Sequence, residues 1–245
     1  VDTMKKESVL RLLIPEWHGG VNPDYVFGAE LLFCIAAASE QHETVRVEVD
    51  TSFAEKLDTV DGIDGGNLLL QQMTETRRVL DDRQPDRVIV FGGDCSVSQA
   101  PFDYLSGRYG TELGVIWLDA HPDVSRPADS THLHEMVLGN LLGQNPGSAI
   151  TRVDNPLTPD QVIMVGLIED QLRDKDMACK TLALPIVSPQ ALKRSSQAVL
   201  DWIKAAGIKY IAVHWDLDVL SPDDFRSIYP AEPYLAAGEF TAAVG

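Results

Sequence analysis

The sequence predicts an α/β fold, a three-layer, doubly wound and mostly parallel sheet in one domain spanning residues 1–245. Two observations predict it. Short, nearly continuous apolar runs such as "RVIVF", "LGVIW" and "QVIMV" alternate with longer segments of helical period. Strands read that way when helices cover both faces of a parallel sheet. The 245 residues are ample for one core, and no repeat, low-complexity tract or long linker divides them.

The elements follow in order. "SVLRLLIP" reads as a first strand, and "DYVFGAELLFCIAAAS" is apolar on a helical period. "TVRVEVD" alternates like a strand, and "GGNLLLQQMTETRRVLDDRQ" is an amphipathic helix. "RVIVFGG" is a strand, "SQAPFDYLSGRYG" a helix, "LGVIWLDA" a strand and "MVLGNLLGQ" a helix. "QVIMVGL" and "TLALPIVS" read as strands. "SPQALKRSSQAVLDWIKAAG" is predicted as one helix, opened by Ser188 as N-cap with Pro189 in its first turn. "KYIAVHWDLD" closes as a strand.

Composition narrows the function. Hydrophobic residues make up 44% and charged residues 23%, and the formal net charge is -17. Nucleic acid and anionic membranes attract clustered Lys and Arg, so neither is an expected partner. No segment has the apolar length of a membrane span, and the N-terminal stretch does not read as a signal peptide. Cys34, Cys95 and Cys179 show no paired spacing, which predicts free thiols in a reducing cytoplasm.

In doubly wound sheets ligands collect outside the carboxyl ends of the strands. Three of those ends read "FGGDCS", "LDAHPD" and "HWDLD". Asp119, His121 and Asp123 alternate along one, and Asp216 and Asp218 along another. Alternate residues of an extended chain point the same way, so each segment aims its acids at one place. Singly, an Asp-x-Asp after a strand is usually a turn or a cap. Together, four carboxylates and an imidazole would repel one another unless a cation sits among them. Oxygen-rich donors with some imidazole suit manganese, with zinc and iron as lesser candidates.

"GGDCS", "DAHPD" and "DLDVLSP" resemble the three signature stretches of the arginase and agmatinase family, the ureohydrolases. The resemblance runs from the first strand to about Pro222. It implies a two-manganese site and hydrolysis of a guanidinium group, in which water deprotonated at the metal attacks the planar carbon. Asp119 and Asp216 would bridge the metals, His121 and Asp218 would complete one set, and Asp123 would serve the other. That second metal's remaining ligand in the family is a histidine, and Cys95 stands in its place here. A thiolate prefers zinc or iron to manganese. Two metals, one, or a lapsed site all remain open.

The resemblance also implies His134 as the proton shuttle, although Glu135 follows it where the family has glycine. Ser125, Ser130 and His132 match substrate-reading positions, and Arg126 beside them could meet an anionic group. His214 replaces a usual serine and Ser221 a usual aspartate, both read as changes behind the ligands. The family continues into a last strand bearing a glutamate that holds the guanidinium. Glu232 and Glu239 fall too early to match it, so the expectation is a chain lacking that C-terminal strand. The overall expectation is a hydrolase of linear amidine or guanidine C–N bonds, a homo-oligomer (trimer or hexamer) by family resemblance. The alternative is a non-catalytic relative that keeps the fold and at most one metal.

Overall fold

Alternation along the first strand, β1 (Val9–Ile14), sets the layers. Leu13 is buried on one face with Ala29 of helix α1 (Asp24–Ile35) and with Phe91. Leu10, Leu12 and Ile14 are buried on the other with Val79 and Leu80 of helix α2 (Gly66–Arg83). A strand covered on both sides must be apolar nearly throughout. Arg11 is the exception. It is buried, and its guanidinium meets the rings of Phe33 and Phe91 at 5.2 and 5.0 Å from their centroids.

The computed structural model describes residues 7–39 and 41–227. β1 pairs in parallel with β2 (Glu43–Arg46) and β5 (Arg87–Gly92) in the order β2-β1-β5. Between them a short antiparallel hairpin, β3 (Thr59–Val60) and β4 (Ile63–Asp64), leads into α2. Helix α3 (Gln99–Tyr109) then precedes β6 (Leu113–Leu118), and α4 (Val137–Leu141) precedes β7 (Val162–Val165). Next come α5 (Ala178–Leu182), β8 (Ile186–Val187), α6 (Pro189–Arg194), α7 (Gln197–Ala205) and β9 (Tyr210–Trp215).

The second sheet is also parallel, in the order β8-β7-β6-β9. Val115, Trp117, Val162 and Met164 face Phe102 of α3 and Val137 and Leu141 of α4. Ile116, Leu118, Ile163 and Val165 face Val199 and Trp202 of α7. The three-layer α/β prediction therefore holds. No helix among the described residues is long and apolar enough to cross a membrane.

Three expectations are corrected, and one element was not foreseen. The described strands form two parallel sheets instead of one, because no described strand lies between the edges β5 and β9. The segment expected as the strand "TLALPIVS" is helical at its start, and only Ile186–Val187 pairs. The single helix expected after Ser188 breaks at Ser195, which is extended at φ -168° and ψ 144°. There the Ser195 hydroxyl accepts from the Gln197 N–H at 3.0 Å and opens a new helix, a local bond that competes with helix continuation. The β3–β4 hairpin had no counterpart in the sequence reading. Glu232, Glu239 and the position of any further strand lie outside the described residues.

The turn "GGDCS" after β5 is dictated by close approach. A Cβ on Gly93 would stand 1.8 Å from the backbone oxygen of Glu16, and one on Gly92 2.4 Å from a methyl of Val97. Asp94 then caps a one-turn 3-10 segment, Cys95–Ser98, accepting from the Ser96 N–H at 2.9 Å. Its other oxygen accepts from the Gly20 N–H at 3.0 Å and ties the turn to the loop after β1. Gly93→Ala is expected to cost about 2 kcal/mol or more, because backbone must move. Gly147→Ala, where a Cβ meets open space, serves as control and should stay within ~0.5 kcal/mol. Urea denaturation midpoints of the two variants measure the contrast.

Candidate metal centre

The backbone ladder outlasts the strands. The Asp119 N–H donates to Val165 O at 3.1 Å, and the Asp216 N–H to Leu118 O at 2.9 Å. Asp119 and Asp216 therefore stand side by side just past β6 and β9. Alternation carries His121 to the side of Asp119, and places His214 and Asp218 on either side of Asp216. Cys95 arrives from the other sheet at the start of its 3-10 turn. Its thiol donates to Oδ2 of Asp216 at 3.2 Å.

Two sets of potential ligands result, with the donor atoms of each lying within 4.8 Å of one another. One set is Asp119, His121 and Asp218, and the other is Cys95, Asp119, His214 and Asp216. Asp119 belongs to both. In the first set, Nδ1 of His121 is 2.8 Å from Oδ2 of Asp218 and 3.6 Å from Oδ1 of Asp119. Main-chain donors hold the carboxylates from behind. The His121 N–H donates to Asp119 at 2.7 Å, the Asp218 N–H to Asp216 at 2.8 Å and the Ala120 N–H to Asp218 at 3.2 Å.

Charge is unbalanced at this place. Burial, and then the Asp119 carboxylate, push the carboxyls of Asp123 and Asp216 above their ordinary range. Burial followed by Asp216 does the same to Asp218. Burial and the acids around it, Asp123 first, push the Cys95 thiol up. Asp119 moves the opposite way: burial opposes its charge, but the His121 and His214 imidazoles beside it hold it well below the usual carboxylate range. Burial likewise opposes the charge of His121, yet Asp119 and Asp218 drive that imidazole up to about 11. Four buried carboxylates thus share two imidazoles, and the cluster is short of positive charge.

Unpartnered atoms mark the same place. Oδ2 of Asp119, Oδ2 of Asp123 and Nε2 of His214 are buried without a hydrogen-bond partner. Each such atom costs about 1–3 kcal/mol. A divalent cation would satisfy them and offset the carboxylate repulsion, so the donors present fit a metal. Asp123 belongs to neither set, although its buried carboxyl feels Asp119, Asp216 and Asp218. Its backbone is left-handed at φ 48°, with its carbonyl held by the Gly139 N–H at 3.0 Å. A non-glycine residue there stores about 1–3 kcal/mol of strain, as functional positions often do.

The remaining expected residues lie on the segment 125–135. Nδ1 of His134 is 2.7 Å from the Gly19 carbonyl, to which it must donate. His132 stacks loosely nearby, its ring centroid 5.7 Å from that of His134. The Ser130 hydroxyl donates to Glu135 at 2.5 Å, and Lys175 and Arg173 pair with the same carboxylate at 2.6 and 2.9 Å. Ser125 is fully buried, with its amide donating to Glu135 O and its hydroxyl 3.4 Å from Lys175 O. Ser125 and Ser130 are therefore committed to protein partners, and neither joins the ligand sets. Arg126 is exposed. Sequence reading missed His214 as a member of the cluster. The signal was present, because His214, Asp216 and Asp218 continue one alternation. It also missed the buried pair Glu16 and His18, 2.5 Å apart behind the turn at Asp94.

The sequence matches the family described as "Arginase family" over residues 33–229. The chain belongs to the arginase family. The arginase of Staphylococcus aureus (strain COL) is 26% identical over 140 residues, covering 55% of this chain and 46% of that protein. The arginase of Coccidioides posadasii is 32% identical over 119 residues, covering 44% of this chain and 35% of that protein. This arginase-family chain thus spans about half, or less, of the length of these curated relatives. Among solved structures it resembles Entamoeba histolytica arginase in complex with L-ornithine, with TM-score 0.69 and 18% identity over 91% of this chain and 79% of that one. Bacillus subtilis formimidoylglutamase gives TM-score 0.56 and 16% identity over 91% of this chain and 69% of that one. These structures establish the fold.

The Glu135 cluster makes stability depend on pH. Burial opposes the charge of Glu135, but Lys175, Ser130 and neighbouring cations draw its carboxyl from 4.5 down to about 2. A depressed folded value contributes stability that is full above about pH 4.5 and is lost as pH falls through about 2. The parent should therefore exceed Glu135→Gln by about 2–3 kcal/mol near neutrality. That gap should shrink steadily below about pH 4.5. Urea titrations at several pH values read it, and a gap independent of pH would assign the stability to packing.

Proposed function

We propose that the chain is a metal-dependent hydrolase of linear amidine or guanidine C–N bonds. One observation carries the reading: acids and imidazoles converge at the ends of β6 and β9, leaving three buried donor atoms without partners. Asp119, His121 and Asp218 would hold one cation. Asp119 and Asp216, with Cys95 and Asp123 beside them, would hold a second. When bound, the metal supplies positive charge and a water made nucleophilic at neutral pH. Manganese suits the oxygen-rich set, and zinc or iron suits Cys95 better.

The chain's own residues do the rest. His134 donates Nδ1–H to Gly19 O, which fixes its orientation and, in the neutral ring, leaves Nε2 as the atom that exchanges a proton. We assign it the protonation of the leaving amine. Ser125 and Ser130 direct their hydroxyls to Lys175 and Glu135, so His132 is favoured over them as a substrate contact. The substrate is a small guanidino or amidino compound. The three free cysteines agree with a cytoplasmic location, and a homo-oligomer rests on family resemblance alone.

Elemental analysis after manganese soaking, with urea and amine release measured on a panel of guanidino and formimidoyl compounds, tests the reading. Asp119→Ala, which removes a donor common to both sets, is expected to abolish metal retention. His134→Ala is expected to keep its metal and to lose turnover by ~10²–10⁴-fold. A metal-loaded parent inert toward the whole panel would favour the non-catalytic alternative, for which Cys95 among the ligands is the supporting observation.

A further inference from the structure

We infer that His214 is a metal ligand, and that with Cys95, Asp119 and Asp216 it makes one cation position a soft, zinc-preferring site. The inference rests on the reading that this cluster holds metal. It adds a ligand from the strand β9 itself and a different metal preference for each position.

His214 is 5% exposed and fully determined by its surroundings. Its ring stacks on Trp117 with centroids 3.8 Å apart and planes 9° from parallel. Trp117 is its register partner on β6, so packing of the sheet sets the ring plane. Nδ1 lies 2.9 Å from the Ser98 hydroxyl. Nε2 has no partner, because Oδ2 of Asp119 is 3.6 Å away, beyond hydrogen-bond reach, and is itself unpartnered. In the tautomer that carries its proton at Nδ1, the Ser98 hydroxyl can accept it. The Nε2 lone pair then points at an unpartnered carboxylate oxygen. Two lone pairs that face each other in a buried space are tolerable when a cation lies between them. A ligating histidine with its second nitrogen held by a hydrogen bond is the usual arrangement at metals.

The other two donors are in place. Sγ of Cys95 is 3.2 Å from Oδ2 of Asp216, and all four residues present donor atoms within 4.8 Å. One thiolate, one imidazole and two carboxylates make a four-donor set that zinc accepts readily, and the Cys95 proton leaves to solvent on ligation. Softness separates the two positions. Sulfur and nitrogen draw zinc to this set, whereas Asp119, His121 and Asp218 offer mostly oxygen and admit manganese.

Competitive zinc and manganese titration of the full chain, with cobalt as spectroscopic probe, tests the inference. One equivalent of cobalt in the parent should give a near-ultraviolet sulfur-to-metal charge-transfer band, and Cys95→Ser should remove it. His214→Ala and the bulkier His214→Gln should each weaken zinc by ~10-fold or more and shift the cobalt spectrum. Manganese at the other set should change little. Absence of the band in the cobalt-loaded parent, or parent-like zinc affinity in both folded His214 variants, overturns the inference and leaves the metal reading standing. A parent that binds no divalent cation overturns both.

Discussion

Four carboxylates are brought to the ends of two neighbouring strands by the same hydrogen-bond ladder that holds the second sheet together. The ladder leaves them no choice. Asp119 and Asp216 continue the β7-β6-β9 pairing, and Asp218 and Asp123 follow within a turn. Like charges about 4 Å apart repel by roughly 4 kcal/mol at the effective dielectric of a protein surface, and by more where water is excluded. Two imidazoles hold Asp119 ionised, while burial and mutual repulsion push the other three upward. This constraint explains the surrounding details as consequences of one need, a place for positive charge.

The supporting structure is accordingly stiff. Gly92 and Gly93 let the turn after β5 lie against Glu16, and Asp94 caps the 3-10 segment that delivers Cys95 and Ser98. Trp117 fixes the plane of His214 from the neighbouring strand. Asp123 keeps a left-handed backbone with its carbonyl held by Gly139. Strain and unpaired atoms of this kind lower the stability of the bare fold, and proteins retain them where a ligand repays the cost. The Glu135, Lys175 and Arg173 ion pairs do the opposite, fixing the segment that carries His132 and His134.

Most of the fold was legible in the sequence because its parallel strands carry a nearly unbroken apolar signal. β1, β5, β6 and β7 have it, and each was found within a residue or two. The helix break at Ser195 has a local cause, a hydrogen bond that periodicity does not report. Ser195 ends one helix and opens another through its hydroxyl, and the apolar start of "TLALPIVS" winds into a helix although its composition suits a strand. The site was legible where chemistry repeats on a period of two, as at Asp119 and His121 or Asp216 and Asp218. His214 lies on the same period and was read as a change behind the ligands. Comparison with a signature pattern displaced the simpler geometric argument. The commitment of Ser130 to Glu135 was not legible, since Lys175 and Arg173 approach from forty or so residues away.

The centre is also where the two sheets meet. Cys95 and Ser98 follow β5, and they touch Asp216 and His214 at the end of β9, although the strands β5 and β9 do not pair. Helix α3 supports this joint from below, placing Tyr104 in the core of the first sheet and Phe102 in that of the second. Tyr109 at its end stacks on Tyr210 with centroids 3.9 Å apart. Without a cation the polar part of the joint is a thiol and a hydroxyl bonded to a crowded acid and an imidazole. A cation held by Cys95 on one side and by Asp119, His214 and Asp216 on the other would cross-link the two halves. Whatever binds the folded form alone stabilises it, with the logarithm of its concentration over its dissociation constant. A metal bound at this centre would therefore couple the two sheets, and the residues proposed to select the ion would also set how firmly the two halves hold.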